Sequence, residues 1–217
     1  MTNYLNSKEI IGLYKKGYFP MAESALTKKI NFYKPKKRFI LPIYSFHIPK
    51  KLLSEFNKNK YTFIINSEFS SVIKNCSLPR KNNPETWINE IIQDIYIRLN
   101  KEGFAKSIEC YHQDKLVGGL YGLHIGGCFF GESMFSFNSN SSKLCLLYLI
   151  SILIQNKFHL LDSQFYNPHL LQFGAHEISD IKYQRKLKEG LDKNCIFPDF
   201  FNYEESLSTL QSLSHKS

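Results

Sequence analysis

The chain has 217 residues, 43% of them hydrophobic and 22% charged, which fits one or two packed domains and excludes wholesale disorder. Twenty-eight Lys and Arg against 19 Asp and Glu leave a net charge of +9. Such a surface attracts polyanions, RNA foremost, although Lys-rich and Asn-rich coding bias would give the same excess.

The N-terminal stretch from Met1 to Glu9 lacks the apolar core of a signal peptide. Ser7 is expected to cap a helix through Glu9, Ile10, Ile11, Leu13 and Tyr14, ended by Gly17-Tyr18-Phe19-Pro20. Short strands are predicted at Ile30–Tyr33 and Phe39–Leu41, and a short helix at Lys50–Phe56. The polar break Asn57–Lys60 marks a domain boundary, giving a small N-terminal domain over 1–60 and a larger one over 61–217. Tyr61–Asn66 alternates like a strand, and Ser67–Asn75 suits a helix. Pro84 precedes a helix that takes in Trp87, Ile88, Ile91, Ile95 and Leu99 and closes at Gly103. A meander follows, with strands at Ala105–His112, Leu116–Ile125 and Cys128–Phe130 and turns at Gln113–Lys115 and Gly126-Gly127. Asn138–Ser142 offers caps for the apolar helix Lys143–Gln155, and His159–Gln164 reads as a strand returning to the same sheet, so the helix is a crossover. A short helix at Pro168–Phe173 and a surface helix at Asp180–Glu189 complete the pattern. The last dozen residues have few large anchors and are expected to be loose.

Among the five Cys residues, no pair has CxxC spacing, and no Cys/His set has zinc-finger spacing. Neither a metal nor a cofactor is expected. The longest apolar run, Leu144–Ile154, falls short of the roughly 20 residues of a membrane span. A soluble, cytoplasmic monomer without a membrane partner is expected.

Two segments concentrate chemistry. The first runs Leu116-Val117-Gly118-Gly119-Leu120-Tyr121-Gly122 and, after the next turn, Phe130-Gly131-Glu132-Ser133-Met134-Phe135-Ser136. Glycine inside strands marks close approach of another backbone or a ligand. Glu132 stands among Phe129, Phe130, Met134 and Phe135, where a carboxylate is costly unless it is paired or opens onto a cleft. It is either a functional acid or a turn acid at a strand end. The second segment is Leu160–Gln164: strand alternation puts Asp162 and Gln164 on one face, at the end of a strand that follows a crossover helix, where open sheets bind ligands. A polar strand end leading into a loop is the equal alternative.

These segments resemble the leucyl/phenylalanyl-tRNA–protein transferase family. The matching stretches are Gly17–Met21, Thr86–Ile88, Leu116–Gly122, Gly131–Ser136, Ser142-Lys143, Asp162–Gln164, His169-Leu170 and Gly174-Ala175, in family order from about residue 4 to 190. The resemblance implies an α+β protein with a GNAT-like C-terminal acyltransferase domain. It implies Leu-tRNA and Phe-tRNA as donors, with Met carried less well, and proteins with N-terminal Arg or Lys as acceptors, the product being an N-degron for protein degradation. By the same resemblance Asp162, Gln164 and Glu132 match the polar active-site residues. Trp87 and Tyr33 match positions facing the terminal adenosine, and Phe129, Leu153 and Leu161 match the amino-acid pocket. Three departures stand out: Tyr33 where a Trp is expected, Lys106 in a place often held by His, and Leu120 for the common Met.

The chemistry asks little of the chain, because an aminoacyl ester is already activated and positioning supplies several kcal/mol. Asp162 is assigned to orient the acceptor amine and Gln164. Gln164 would contact the reacting carbonyl or amine, and Glu132 would hold a cationic amine. No Ser or Cys triad spacing is present. Lys36-Lys37-Arg38 and Lys50-Lys51 are the candidate tRNA contacts, each equally readable as a solvated face. Two rivals remain: an acetyl-CoA-dependent acetyltransferase, which would need a pyrophosphate-binding glycine loop not found here, and a non-catalytic RNA-binding module.

Overall fold

The computed structural model describes residues 6–79 and 86–215; Pro84, the segment 1–5 and residues 216–217 lie outside the described residues. Helix α1 (Ser7–Lys15) leads into a two-stranded hairpin, β1 (Phe19–Met21) with β2 (Asn31–Tyr33), and then β3 (Lys37–Leu41) and α2 (Lys50–Phe56). β4 (Thr62–Ile65), α3 (Phe69–Cys76) and α4 (Glu90–Lys101) follow, then the meander β5 (Ala105–His112), β6 (Lys115–Ile125) and β7 (Cys128–Ser136). The rest is α5 (Ser141–Gln155), β8 (Leu160–Asp162), a 3-10 helix (Pro168–Phe173), β9 (His176–Ser179), α6 (Asp180–Leu191) and α7 (Tyr203–Ser214).

The chain is a mixed α+β protein built on one seven-stranded sheet in the order β4-β5-β6-β7-β8-β3-β9. All neighbours are antiparallel except β7 and β8, which are parallel and joined through α5, the crossover expected from sequence. The 57–60 break is the loop between α2 and β4, and the chain on both sides of it supplies strands to this sheet.

Strand alternation divides the core. Phe129, Leu161, Leu120, Phe39 and Leu41 point to the side covered by α2, α5 and α7. Phe130, Leu160, Tyr121 and Ile40 point to the side covered by α1, α3, α4 and α6. Helix α5 is buried over nearly its whole circumference, from Leu144 to Leu153, because α7 packs on its outer side. Among the described residues, no helix is long and apolar enough to cross a membrane.

Several local expectations are corrected. Asn6, not Ser7, caps α1: its side chain accepts from Glu9 N at 3.0 Å, and Glu9 returns the bond to Asn6 N at 2.7 Å. Ser7 is buried and donates to Glu102 at 2.8 Å. Trp87 and Ile88 precede α4, because Asn89 caps it by accepting from Ile92 N at 2.9 Å. No side chain caps α5 from Asn140, which is left-handed at φ 61°. β7 runs to Ser136, six residues beyond its expected end at Phe130. The C-terminal segment is not loose up to Ser214. There α7 buries Leu210 and Leu213, and its small Ser206 lets it approach α5 closely enough for a 2.6 Å bond to Ser151.

Three of the strand glycines, Gly118, Gly119 and Gly122, are sites of close approach by other parts of the protein. A Cβ on Gly118 would stand 2.3 Å from Ser141 Oγ, at the first turn of α5.

Candidate active site

Glu132 sits in a β-bulge. The β6–β7 ladder pairs Tyr121 with Ser133 and Gly122 with Gly131, which leaves Glu132 as the extra residue. Bulges bend a strand and re-aim a side chain, and they recur beside active sites. Gly122 permits this one: a Cβ there would lie 2.3 Å from Phe130 O and 2.4 Å from Phe129 Cε1.

The re-aimed carboxylate is half-buried and meets phenols from the helical side of the sheet. Tyr14 Oη, from α1, donates to Glu132 Oε1 at 2.7 Å and is itself bonded to Tyr96 of α4. Tyr121 closes the group, its ring edge-on to Tyr96 at 5.3 Å. All three tyrosines are buried. Burial pushes the Glu132 carboxyl up to about 7, with a further push from Asp162; hydrogen bonds from Tyr14 and Tyr96 and the charge of Arg38 hold it from going higher. A carboxyl poised near neutrality inside a polar cluster is suited to proton transfer.

Gln164 reaches the same carboxylate, with Nε2 3.3 Å from Glu132 Oε1. It does so for a reason other than strand alternation. β8 ends at Asp162, and Gln164 lies beyond it at φ 60°, in the left-handed region. That turn is held from behind, where Gln164 N donates to Asp162 Oδ1 at 2.9 Å.

Asp162 is fully buried and makes a forked ion pair with Arg38, with Nε 2.9 Å from Oδ1 and Nη2 2.6 Å from Oδ2. Tyr183 Oη of α6 donates to Oδ2 at 2.8 Å. With the Gln164 amide, four donors occupy the roughly four lone-pair directions a carboxylate offers. Arg38 extends the network to α1, donating from Nη1 to Gly17 O at 2.9 Å, and its guanidinium lies 4.8 Å from the Phe19 ring and 4.4 Å from the Tyr183 ring. Arg38 is 1% exposed, so it parts from Lys36 and Lys37, with which its sequence position groups it. A guanidinium held in the core on Asp162 presents nothing to a phosphate. Lys36 and Lys37 are exposed, and Lys37 pairs with Glu177 at 3.2 Å.

Phe129, Leu153 and Leu161 lie together, but in the core on the α5 side, with the Phe129 ring stacked on Phe197 at 5.3 Å. All three are buried, and β7 and β8, which carry Phe129 and Leu161, are paired there, so the sheet itself stands between them and the polar cluster. Those strands pair over Cys128–Phe130 and Leu160–Asp162; β7 then continues to Ser136 paired with β6 only. Met134, on the part of β7 beyond β8, packs against the α5-side core. Trp87 and Tyr33 both belong to the β1–β2 hairpin region: Ala22 N donates to Trp87 O at 3.3 Å, and Tyr33 pairs with Phe19. Lys50 and Lys51 are exposed on α2.

Residues missed in the sequence are Tyr14, Tyr96, Tyr183 and Phe165. Phe165 follows Gln164, is 43% exposed, and meets Phe19 edge-on at 5.2 Å and Tyr33 at 6.0 Å. The aromatic pair Phe165-Tyr166 directly after a polar strand end was the available signal; the tyrosines gave none, since each reads as an ordinary helix-face residue. Among the described residues no group of three or more His, Cys, Asp or Glu could hold a metal ion.

Residues 40–188 match the family model described as leucyl/phenylalanyl-tRNA protein transferase. A leucyl/phenylalanyl-tRNA–protein transferase of Hyphomonas neptunium is 42% identical over 197 residues, covering 91% of this chain and 76% of that protein. One from Caulobacter vibrioides is 39% identical over 209 residues, 96% of either chain. Among solved structures, one titled "The structure of L-PGS from Bacillus licheniformis" has a TM-score of 0.42 at 12% identity, covering 93% of this chain and 62% of that one.

Proposed function

Because this chain belongs to the leucyl/phenylalanyl-tRNA protein transferase family, we propose that it moves Leu or Phe, and Met less well, from aminoacyl-tRNA to the N-terminal Arg or Lys of acceptor proteins. On this reading the framework is GNAT-like, the protein works as a cytoplasmic monomer, and the added residue marks the acceptor for degradation. The observation that carries the reading is the meeting of Glu132 and Gln164 at 3.3 Å where β7 and β8 part.

In the proposed reaction the acceptor amine attacks the ester carbonyl. The new C–N bond forms as the bond to the terminal ribose oxygen breaks, and that oxygen takes up a proton. Glu132 in its charged form accepts the proton of the acceptor ammonium or holds that cation in place. The Gln164 amide donates to the oxygen on which charge develops, a contact of a kind worth about 2.7–4 kcal/mol. Asp162, with its own acceptors filled, acts on Gln164 and not on the amine. It is a positioning residue.

On this reading the donor side chain is held in an apolar slot walled by Phe129, Leu153 and Leu161. Burying a Leu or Phe side chain there is worth about 1.5–3 kcal/mol, which favours these donors over small or polar ones. Phe129→Ala is expected to lower stability by about 3–5 kcal/mol, since the ring is core, and to loosen discrimination between Leu and Phe. Thermal melts and the ratio of kcat/KM for the two donors check both parts; an unchanged ratio removes Phe129 from the slot.

The deciding experiment offers the protein labelled Leu-tRNA or Phe-tRNA with peptides beginning in Arg, Lys or Ala, and acetyl-CoA in parallel. Transfer of the amino acid to the Arg and Lys peptides is expected. Acetyl transfer without aminoacyl transfer would make it an acetyltransferase instead.

A further inference from the structure

Three elements that are distant in sequence build a cationic surface directly outside the Arg38–Asp162–Tyr183 network. α1 ends at Lys15 and is followed by Lys16 and Gly17, and a Cβ on Gly17 would come 2.7 Å from Gln184 Nε2 of α6. The β2–β3 loop carries Lys34 and Lys36, and Lys36 O accepts from Asp180 N at the start of α6 at 3.0 Å. α6 itself buries Tyr183, Leu187 and Gly190 and turns Lys182 and Lys186, one helical turn apart, outward.

The charges on this surface are not neutralised internally. Asp180 is engaged by Gln184 at 2.9 Å, Glu177 by Lys37 and Glu189 by Arg185, and no ion pair is formed by Lys15, Lys16, Lys34, Lys36, Lys182 or Lys186 among the described residues. Lys34 instead lies 5.5 Å from the Tyr18 ring. Across the sheet α2 exposes Lys50 and Lys51 and the first turn of α7 exposes Glu204 and Glu205, so these charges balance there. Six lysines outside any ion pair face one such carboxylate, Asp180, on this side, bordering Gly17, whose carbonyl Arg38 holds, and that is what a phosphate backbone approaching the site would need.

We infer that the α1 C-terminus, the β2–β3 loop and α6 form the face on which the donor tRNA lays its phosphate backbone. The inference rests on the transferase reading for its partner, but its test does not depend on turnover.

Two double variants, Lys182→Glu/Lys186→Glu and Lys15→Glu/Lys16→Glu, change three exposed side chains and the half-buried Lys186, and their melting is expected to match the parent. Binding of uncharged tRNA, followed by fluorescence anisotropy over a range of salt, should weaken at least about tenfold near 0.1 M salt. The dependence of log Kd on log salt should flatten by about one to two units, as contacts that release counterions are lost. Transfer from a minimal donor, Phe esterified to adenosine, should be unchanged, because that donor has no backbone to lay down. Parent-like tRNA affinity and salt slope in both variants would overturn the inference. So would unchanged tRNA affinity with a raised KM for the acceptor, which would make this an acceptor-docking face. A parent protein that binds tRNA through these lysines yet transfers from neither donor would leave the face standing and sink the catalytic reading alone.

Discussion

Removing one partner of the buried pair, by Arg38→Met or Asp162→Ala, is expected to cost about 3–5 kcal/mol of stability, because the other charge stays in the core with nothing to balance it. For a chain of this size that is a fall in Tm of roughly 6–20 °C. Both groups are at most 1% exposed, so water cannot substitute for the lost partner. Asp162→Ala also strips the acceptor from Tyr183 Oη and from Gln164 N. Activity lost in a single variant is therefore ambiguous between unfolding and chemistry. The double variant Arg38→Met/Asp162→Leu separates them. Replacing a buried ion pair with apolar groups of similar volume is often neutral or stabilising, so melting is expected to return toward the parent. Transfer is not, since the left-handed turn at Gln164 still lacks the carboxylate that holds its amide. Parent-like transfer in the double variant would reduce the pair to a purely structural role.

Glu132→Gln is expected to be slower by 10²- to 10⁴-fold, the usual range for a lost acid–base group, and yet more stable than the parent above neutral pH. The sign follows from linkage. With its folded pKa raised to about 7 from an ordinary 4.5, Glu132 holds a proton in the native state that the unfolded chain has released. Its stabilising contribution is complete below about pH 4.5 and is lost as pH rises through 7. The neutral glutamine incurs no such loss, so the variant should gain up to about 3 kcal/mol on the parent between about pH 5 and pH 8. Melting at those two pH values checks this. In parallel, the rise of kcat/KM through pH about 7 should disappear in the variant, leaving the titration of the acceptor amine at roughly 7.7–8.0. Equal stability of parent and variant at both pH values would show that Glu132 is an ordinary solvated acid.

Much of this architecture was legible because local and global preferences agree. The turn expected at Gln113–Lys115 from polar residues between two alternating runs does join β5 to β6, although its left-handed Gln113 and Asp114, at φ 49° and 61°, are not the glycine-containing pair such a turn favours. The parallel β7–α5–β8 unit follows from an apolar helix between two strand patterns. The site was legible in part. Glu132, Asp162 and Gln164 do converge, but the alternation that pointed to Gln164 fails at the strand's end, and a left-handed turn does the work instead. The bulge at Glu132 depends on register against β6, which no single strand encodes. Arg38 was misgrouped because Lys36-Lys37-Arg38 reads as one solvated run; only its place at the head of Phe39-Ile40-Leu41 hinted that it enters the core. α7 is hard to read because its buried face mixes Leu210 and Leu213 with the small residues Ser206 and Thr209, and small-residue packing such as Ser206 against Ser151 leaves little trace in hydrophobicity.

The central claim is that aminoacyl transfer occurs where β7 and β8 part, on Glu132 and Gln164. Mass spectrometry of an Arg-initiated peptide after incubation with Phe-tRNA tests it most directly, with the parent, Glu132→Gln and Gln164→Ala compared under single-turnover conditions. The parent should add one Phe residue at the peptide's N-terminus, with Glu132→Gln and Gln164→Ala each slower by at least about 100-fold at unaltered tRNA affinity. Parent-level rates in both variants would contradict it.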